Sequence, residues 1–249
     1  MSRRPLVTVV SPHFDDAPLS LGQSMLDGSL ARCRVRVEVL FGRSSFTRWV
    51  HPTRSRASAV SLWRRGEEAL AQARFGYRVR THDLEDVLLR TGELDPDVIR
   101  DAGADVAVDP LIDDVVARVR RIRGRGGLVL VPAGIGDHRD HRLVAEAGRR
   151  LALEHDDLIG FYEDQPYASS LGAEEVGLQV GRLGLDLAPI DVSPPISPSF
   201  HRWLRWCYPS QIDEQFDDWL ARDREVGAVE RVWFPSKMAP AWLSSAGRR

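Results

Sequence analysis

With 249 residues, 43% hydrophobic and 28% charged, the chain has the composition of an ordinary soluble globular protein, with room for one large α/β domain. A formal net charge of -2 provides no field that would draw it to nucleic acid or an anionic membrane, and no stretch approaches the ~20 apolar residues of a membrane span. Arginine supplies almost all the positive charge, Lys237 being the only lysine, and acidic residues balance it throughout.

Residues 1–4 are basic and lead into a short apolar run. That run meets Pro12 and His13 too soon for a secretory signal, so it reads as a first β-strand of a cytoplasmic chain. Residues 6–10 are β-branched and nearly continuous, the pattern of a strand buried on both faces of a parallel sheet. Residues 19–30 have helical spacing and 35–41 form a second strand, giving β-α-β with a parallel crossover. Residues 58–75 make a long helix closed by Gly76. A short strand is expected over 77–80, and the acidic, irregular stretch 84–110 reads as a surface excursion. Residues 111–122 are helical, 124–127 break the helix, and 128–131 are a third strong buried strand. A helix over 143–153 and a strand over 158–162 follow. The Gly- and Pro-rich stretch 172–198 reads as a hairpin or loop, and 200–224 returns to helical spacing with Trp203, Trp206 and Trp219 on its core side. The expected fold class is α/β: one Rossmann-like domain over 1–249, with a mostly parallel open sheet and helices on both faces. Cys33 and Cys207 match no metal or redox spacing and read as two reduced thiols.

Two motifs carry chemistry. Ser11-Pro12-His13-Phe14-Asp15-Asp16 directly follows the first strand, and Gly136-Asp137-His138-Arg139-Asp140-His141 follows the third strong one. Ligands of open α/β sheets bind outside the carboxyl ends of strands, where both motifs fall. Neither resembles a Gly-rich phosphate loop, so no dinucleotide site is indicated. Two imidazoles and one carboxylate are a familiar ligand set for catalytic zinc with a fourth position left open. The doubled aspartate offers one carboxylate to a metal and one to a water; the paired histidines offer one ring to a metal and one free ring, which Asp140 could orient.

These motifs resemble those of the PIG-L/LmbE family of zinc-dependent deacetylases, Pro-His-Pro-Asp-Asp-Glu early and His-x-Asp-His about halfway along. The resemblance implies His13, Asp16 and His141 as metal ligands, Asp15 as general base, and His138 as general acid or oxyanion stabiliser oriented by Asp140. Zinc is the implied ion, with another divalent metal such as Fe2+ as the alternative. Arg65-Gly66-Glu67-Glu68 is similar to the family's Arg-x-x-Glu helix, which makes Arg65 the expected substrate contact. Tyr162-Glu163-Asp164-Gln165-Pro166-Tyr167 and Tyr208-Pro209-Ser210-Gln211 resemble later family segments. Phe14 and Ala17 depart from the family's proline and glutamate, and Gly136 stands where some members carry a mobile tyrosine. Any extra tyrosine donor must therefore come from elsewhere. The implied activity is removal of an acyl group, acetyl being the expected one, from a small-molecule N-acetylated sugar or sugar-containing metabolite. A thiol-conjugate amide and a catalytically altered sugar-binding protein are the alternatives, and a homo-oligomer is left open.

A doubled aspartate after a strand is often no more than a helix N-terminal feature, and this chain has three others: Asp113-Asp114, Asp156-Asp157 and Asp217-Asp218. Only the first comes with a histidine at ligand spacing. His51, His82, His155 and His201 lack such partners and read as surface or capping residues.

Overall fold

The computed structural model describes residues 4–93, 99–154, 159–235 and 240–243. Among these, β1 (Leu6–Ser11), β2 (Arg34–Val39), β3 (Arg78–Thr81), β4 (Leu128–Pro132), β5 (Ile159–Tyr162), β6 (Leu187–Asp191) and β7 (Arg231–Pro235) form one sheet in the order β3-β2-β1-β4-β5-β7-β6. The first five strands are mutually parallel, Val9 lying opposite both Val37 and Leu130. The last two are antiparallel additions at one edge. Side chains alternate across the sheet as the pleat requires. Val7, Val9, Leu128 and Leu130 enter one apolar core and Val10, Val129 and Val131 the other. Such strands are buried on both faces, and this explains their unbroken apolar sequence.

The first core is roofed by α1 (Asp16–Asp27), α2 (Ala57–Phe75) and α8 (Pro198–Cys207), the second by α4 (Ile112–Arg123), α5 (Arg139–Glu154) and α7 (Ala173–Gly181). No helix among the described residues is long and apolar enough to cross a membrane. Gly76 closes α2 with φ of 75°, the left-handed geometry expected of a C-terminal glycine. Cys33 and Cys207 are buried free thiols.

Several elements differ from the sequence reading. α1 and α5 begin three and four residues earlier than the apolar spacing indicated, because their first turns consist of motif residues rather than core residues. The stretch read as a surface excursion contains α3 (Val87–Thr91), capped by the Asp86 carboxylate, with Val87, Leu88 and Leu89 buried. Residues 94–98 of that stretch, together with His155 and Asp156-Asp157, lie outside the described residues. The 172–198 segment holds α7 and β6 instead of a hairpin or loop. The late helical pattern is two helices, α8 and α9 (Glu214–Glu225), separated where Pro209 follows Tyr208. Trp206 is exposed rather than packed inside, and His201 is buried rather than on the surface.

Candidate metal centre and active-site cleft

The strand order 3-2-1-4-5 reverses direction between β1 and β4, and a crevice opens at the carboxyl ends of those two strands. The His13 motif leaves β1 and the His138 motif follows β4, so two segments more than a hundred residues apart in sequence meet there. Ser11 ties the first turn: its hydroxyl donates to the His13 carbonyl (2.6 Å) and accepts from the Ala17 amide (3.1 Å). In the second turn, Gly136 and Asp137 both have positive φ (86° and 61°), which folds the chain back so that α5 starts over the crevice. A Cβ at Gly136 would lie 2.4 Å from the Tyr167 ring, so glycine is required there by contact as well as by φ.

All six expected metal and catalytic residues are buried in this crevice. The rings of His13, His138 and His141 have centroids 4.7–5.4 Å apart, and each offers a nitrogen within 4.8 Å of the others. Asp16 Oδ2 lies 3.3 Å from His13 Nδ1 and 3.3 Å from His141 Nε2. Tetrahedral ligands about 2.0 Å from zinc are separated by about 3.3 Å, so the Asp16 oxygen stands at ligand spacing from a nitrogen of each of these two imidazoles. The remaining ring nitrogens face carboxylates. His13 Nε2 meets Asp140 Oδ2 at 2.9 Å and His141 Nδ1 meets Asp164 Oδ1 at 2.7 Å. A carboxylate behind each imidazole fixes the tautomer that aims the opposite nitrogen at a metal.

This corrects one expectation. The Asp140 carboxylate serves His13, the Val87 amide (3.0 Å) and Arg90 (2.8 Å), not the free ring of His138. The contact with His138 comes instead from the Asp140 backbone, whose amide donates to His138 Nδ1 at 3.2 Å. An Nδ1 that accepts leaves the ring proton on Nε2.

The charges are consistent with a cation site. Burial lowers the pKa of His13, yet its bonds to Asp140 and Asp16 outweigh burial and raise it to about 9. His141 is raised for the same reason, against burial, by Asp16 and Asp164. Burial would raise Asp16, but the His141 and His13 charges hold it well below the usual carboxylate range. Burial and two cationic neighbours push His138 down, so it is neutral with Nε2–H. Two protons on His13 and His141 thus balance the surrounding carboxylates, and a divalent cation carries the same charge.

Arg65 is not in the cleft. It is exposed and borders a separate arginine-lined hollow with Arg80 and Arg121. Its neighbour Arg64 lies on the α2 face formed by Val60, Ser61, Glu67, Glu68 and Ala71, turned ~100° away from Arg65. Arg64 Nη2 donates to Asp15 Oδ1 at 2.5 Å. The Arg-x-x-Glu spacing also fits Arg64 and Glu67, and of the two arginines it is Arg64 that lines the cleft. Phe14 fills the core beneath the Arg64 guanidinium, 5.6 Å from it, which accommodates the departure from proline. Asp164 and Tyr167, to which the sequence motifs assign no role, also belong to the site. Tyr167 packs on Gly136, sits edge-on to His141 at 5.8 Å and lines the cleft. Burial raises its phenol pKa, so it stays a neutral donor. Leu19, Phe46, Val87, Gln165 and Gln211 complete the walls of a cavity of about 100 Å3.

The doubly wound sheet is an architecture shared with solved deacetylases. A deacetylase of the teicoplanin biosynthesis pathway superposes with TM-score 0.66 at 22% identity, over 92% of this chain and 96% of that one. The N,N'-diacetylchitobiose deacetylase of Pyrococcus horikoshii gives 0.56 at 14% identity, over 93% and 84%. In sequence, the chain is 30% identical over 235 residues to 2'-N-acetylparomamine deacetylase of Streptomyces fradiae, covering 92% of this chain and 81% of that protein. No family model matches the chain. It belongs to the LmbE-type N-acetylsugar deacetylases, which are hydrolases of the amide bond.

Proposed function

We propose that the protein is a zinc-dependent deacetylase of an N-acetylated amino sugar, with the ion held by His13, Asp16 and His141. The observation that carries this reading is the Asp16 oxygen set 3.3 Å from one nitrogen of each imidazole, with a carboxylate behind each ring. Zinc bound there supplies a Lewis acid that acidifies water and polarises an acyl oxygen. Asp15 is the base: Arg64 occupies Oδ1, and Oδ2 carries no hydrogen bond among the described residues. It takes the proton of the attacking water and passes it to the departing nitrogen. His138, neutral and with its proton on Nε2, donates to the acyl oxygen as negative charge builds there. Amide and water become acetate and a protonated amine. Two buried free thiols suit a reducing compartment such as the cytoplasm.

The test is acetate release from a panel of N-acetylated amino sugars and one thiol-conjugated amide, after loading with Zn2+ or Fe2+. Release from a sugar amide supports the reading. Release from the thiol conjugate alone moves the substrate class, and bound metal without release from any amide overturns it.

A further inference from the structure

Arg65, which stands outside the cleft, belongs to a second cluster of charge. The sheet ends at β3, and α2 and α4 cover its opposite faces. At that edge five arginines from three elements line one hollow of about 260 Å3. Arg65 comes from α2, Arg80 from β3, and Arg118, Arg121 and Arg125 from α4 and the turn after it. The spacing 118, 121, 125 sets the last three along one helical stripe. Of the described walls only Ile122 is apolar. The hollow shares no wall residue with the cleft, into which α6 (Tyr167–Ser170) directs its first residue.

Guanidinium groups gathered this closely repel one another, and the chain as a whole is slightly acidic, with 36 acidic against 34 basic residues. The carboxylates nearby already have partners. Glu38, fully buried on β2 in register with Arg80, accepts from Arg125 Nη1 at 2.7 Å and pairs with His82 Nε2 at 2.9 Å. Asp114 holds Arg118 at 3.0 Å, and Asp83 stands 3.9 Å from the same side chain. Arg65, Arg80 and Arg121 have no hydrogen bond or ion pair among the described residues. Five guanidinium charges against the carboxylates of Glu38, Asp83 and Asp114 leave an excess of two. A phosphate monoester carries about -1.5 to -2 at pH 7, and guanidinium forks match the geometry of its oxygens. A volume of this size takes a phosphoryl group and a small polar body. No Phe, Tyr or Trp stands in the described walls to stack a base, and the acidic balance of the whole molecule disfavours a long polyanion.

We propose that the hollow binds the phosphoryl group of a small phosphorylated metabolite or of inorganic phosphate, at a site separate from the metal centre. The site stands whether or not the deacetylase reading does, so its test reads binding and not turnover. Metal-loaded protein is titrated in a calorimeter at about 0.15 M NaCl with inorganic phosphate, with glucose 6-phosphate, and with glucose as the uncharged control. The melting temperature at saturating ligand is a second readout. Inorganic phosphate or the ester is expected to bind with Kd below about 1 mM and to raise the melting temperature, and glucose to do neither. Equal affinities make the phosphoryl group the whole ligand, and a tighter ester adds its sugar body; both support the site.

Arg65→Ala, Arg80→Ala and Arg121→Ala change three exposed side chains on three elements, so a folding defect in one leaves the others to report. Each is expected to weaken binding about tenfold, and Arg121→Lys to weaken it less. Arg202→Ala removes an equal charge from the exposed face of α8 and is expected to leave the affinity unchanged. Absence of saturable binding overturns the proposal. So does an equal loss in Arg202→Ala, or an affinity unchanged in all three hollow variants, which would put the anion on the bound metal. Binding of a single-stranded RNA that needs these arginines, with neither small phosphate bound, overturns it in favour of a nucleic-acid surface.

Discussion

Asp164 stands behind His141, one of the ligands proposed for the metal. One of its oxygens holds His141 Nδ1 and the other takes the Ile135 amide at 2.9 Å, so the imidazole is anchored to the loop after β4. Asp164→Ala is expected to weaken metal affinity by about 10- to 100-fold in a chelator competition, and Asp164→Asn, which keeps an acceptor, by less. Asp15 has the complementary role. Asp15→Asn is expected to keep the metal and lower turnover by at least ~100-fold, read as acetate release against metal content. Undiminished turnover by that variant would remove Asp15 from the base role. The Tyr167 ring, from a different segment, fills the space against Gly136.

The decisive element is α2. Its buried face carries Arg64 toward Asp15, Glu67 toward the Ser210 amide and hydroxyl (2.8 and 2.7 Å), and Glu68 toward two tyrosines. Helix α2 thereby fixes both Asp15, the proposed base, and the segment that contributes Gln211 to the cleft. Tyr208 has one hydroxyl proton but lies 3.1 Å from the Phe14 carbonyl and 2.7 Å from Glu68 Oε2. It donates to the carbonyl if Glu68 is itself protonated and donates in turn. Burial agrees, raising Glu68 to about 8 against the pull of the two hydroxyls. A carboxyl raised in the folded state contributes stability that is whole below its unfolded value near 4.5 and is lost as pH rises through about 8. Glu68→Gln keeps a donor and an acceptor but does not titrate. The variant is expected to gain stability relative to the native protein as pH rises from about 5 to about 8, measured as melting temperature. Parallel pH profiles for the two proteins would show that Glu68 is ionised throughout.

At the scale of the molecule, the late chain closes back on the early chain. Glu230, just ahead of β7, accepts from the Gln23 and Ser24 amides of α1 at 2.7 and 2.6 Å while itself buried. Removing it leaves two buried donors without that partner. Glu230→Ala is expected to cost about 1–3 kcal/mol in a denaturant titration. A change within a few tenths would mean that the α1 amides find other acceptors. Because α1 begins with Asp16, a proposed metal ligand, this bond also secures the helix that carries it.

Read alone, the sequence determined the parallel strands, because a strand buried on both faces must be apolar throughout, and it marked both polar motifs that interrupt those strands. It also showed Gly76 ending α2. It did not show α3, α7, β6 or β7, whose short amphipathic runs carry little periodicity, nor where α1 and α5 begin, since motif residues fill their first turns. Side-chain direction around a helix was decided only in three dimensions: Arg64 and Arg65 are equivalent in composition, and a turn of ~100° sends one into the cleft and the other to solvent. The same holds for Asp140, which reaches His13 across 127 residues of sequence. Partners so distant are chosen by the packing of the sheet, and local sequence carries no record of them.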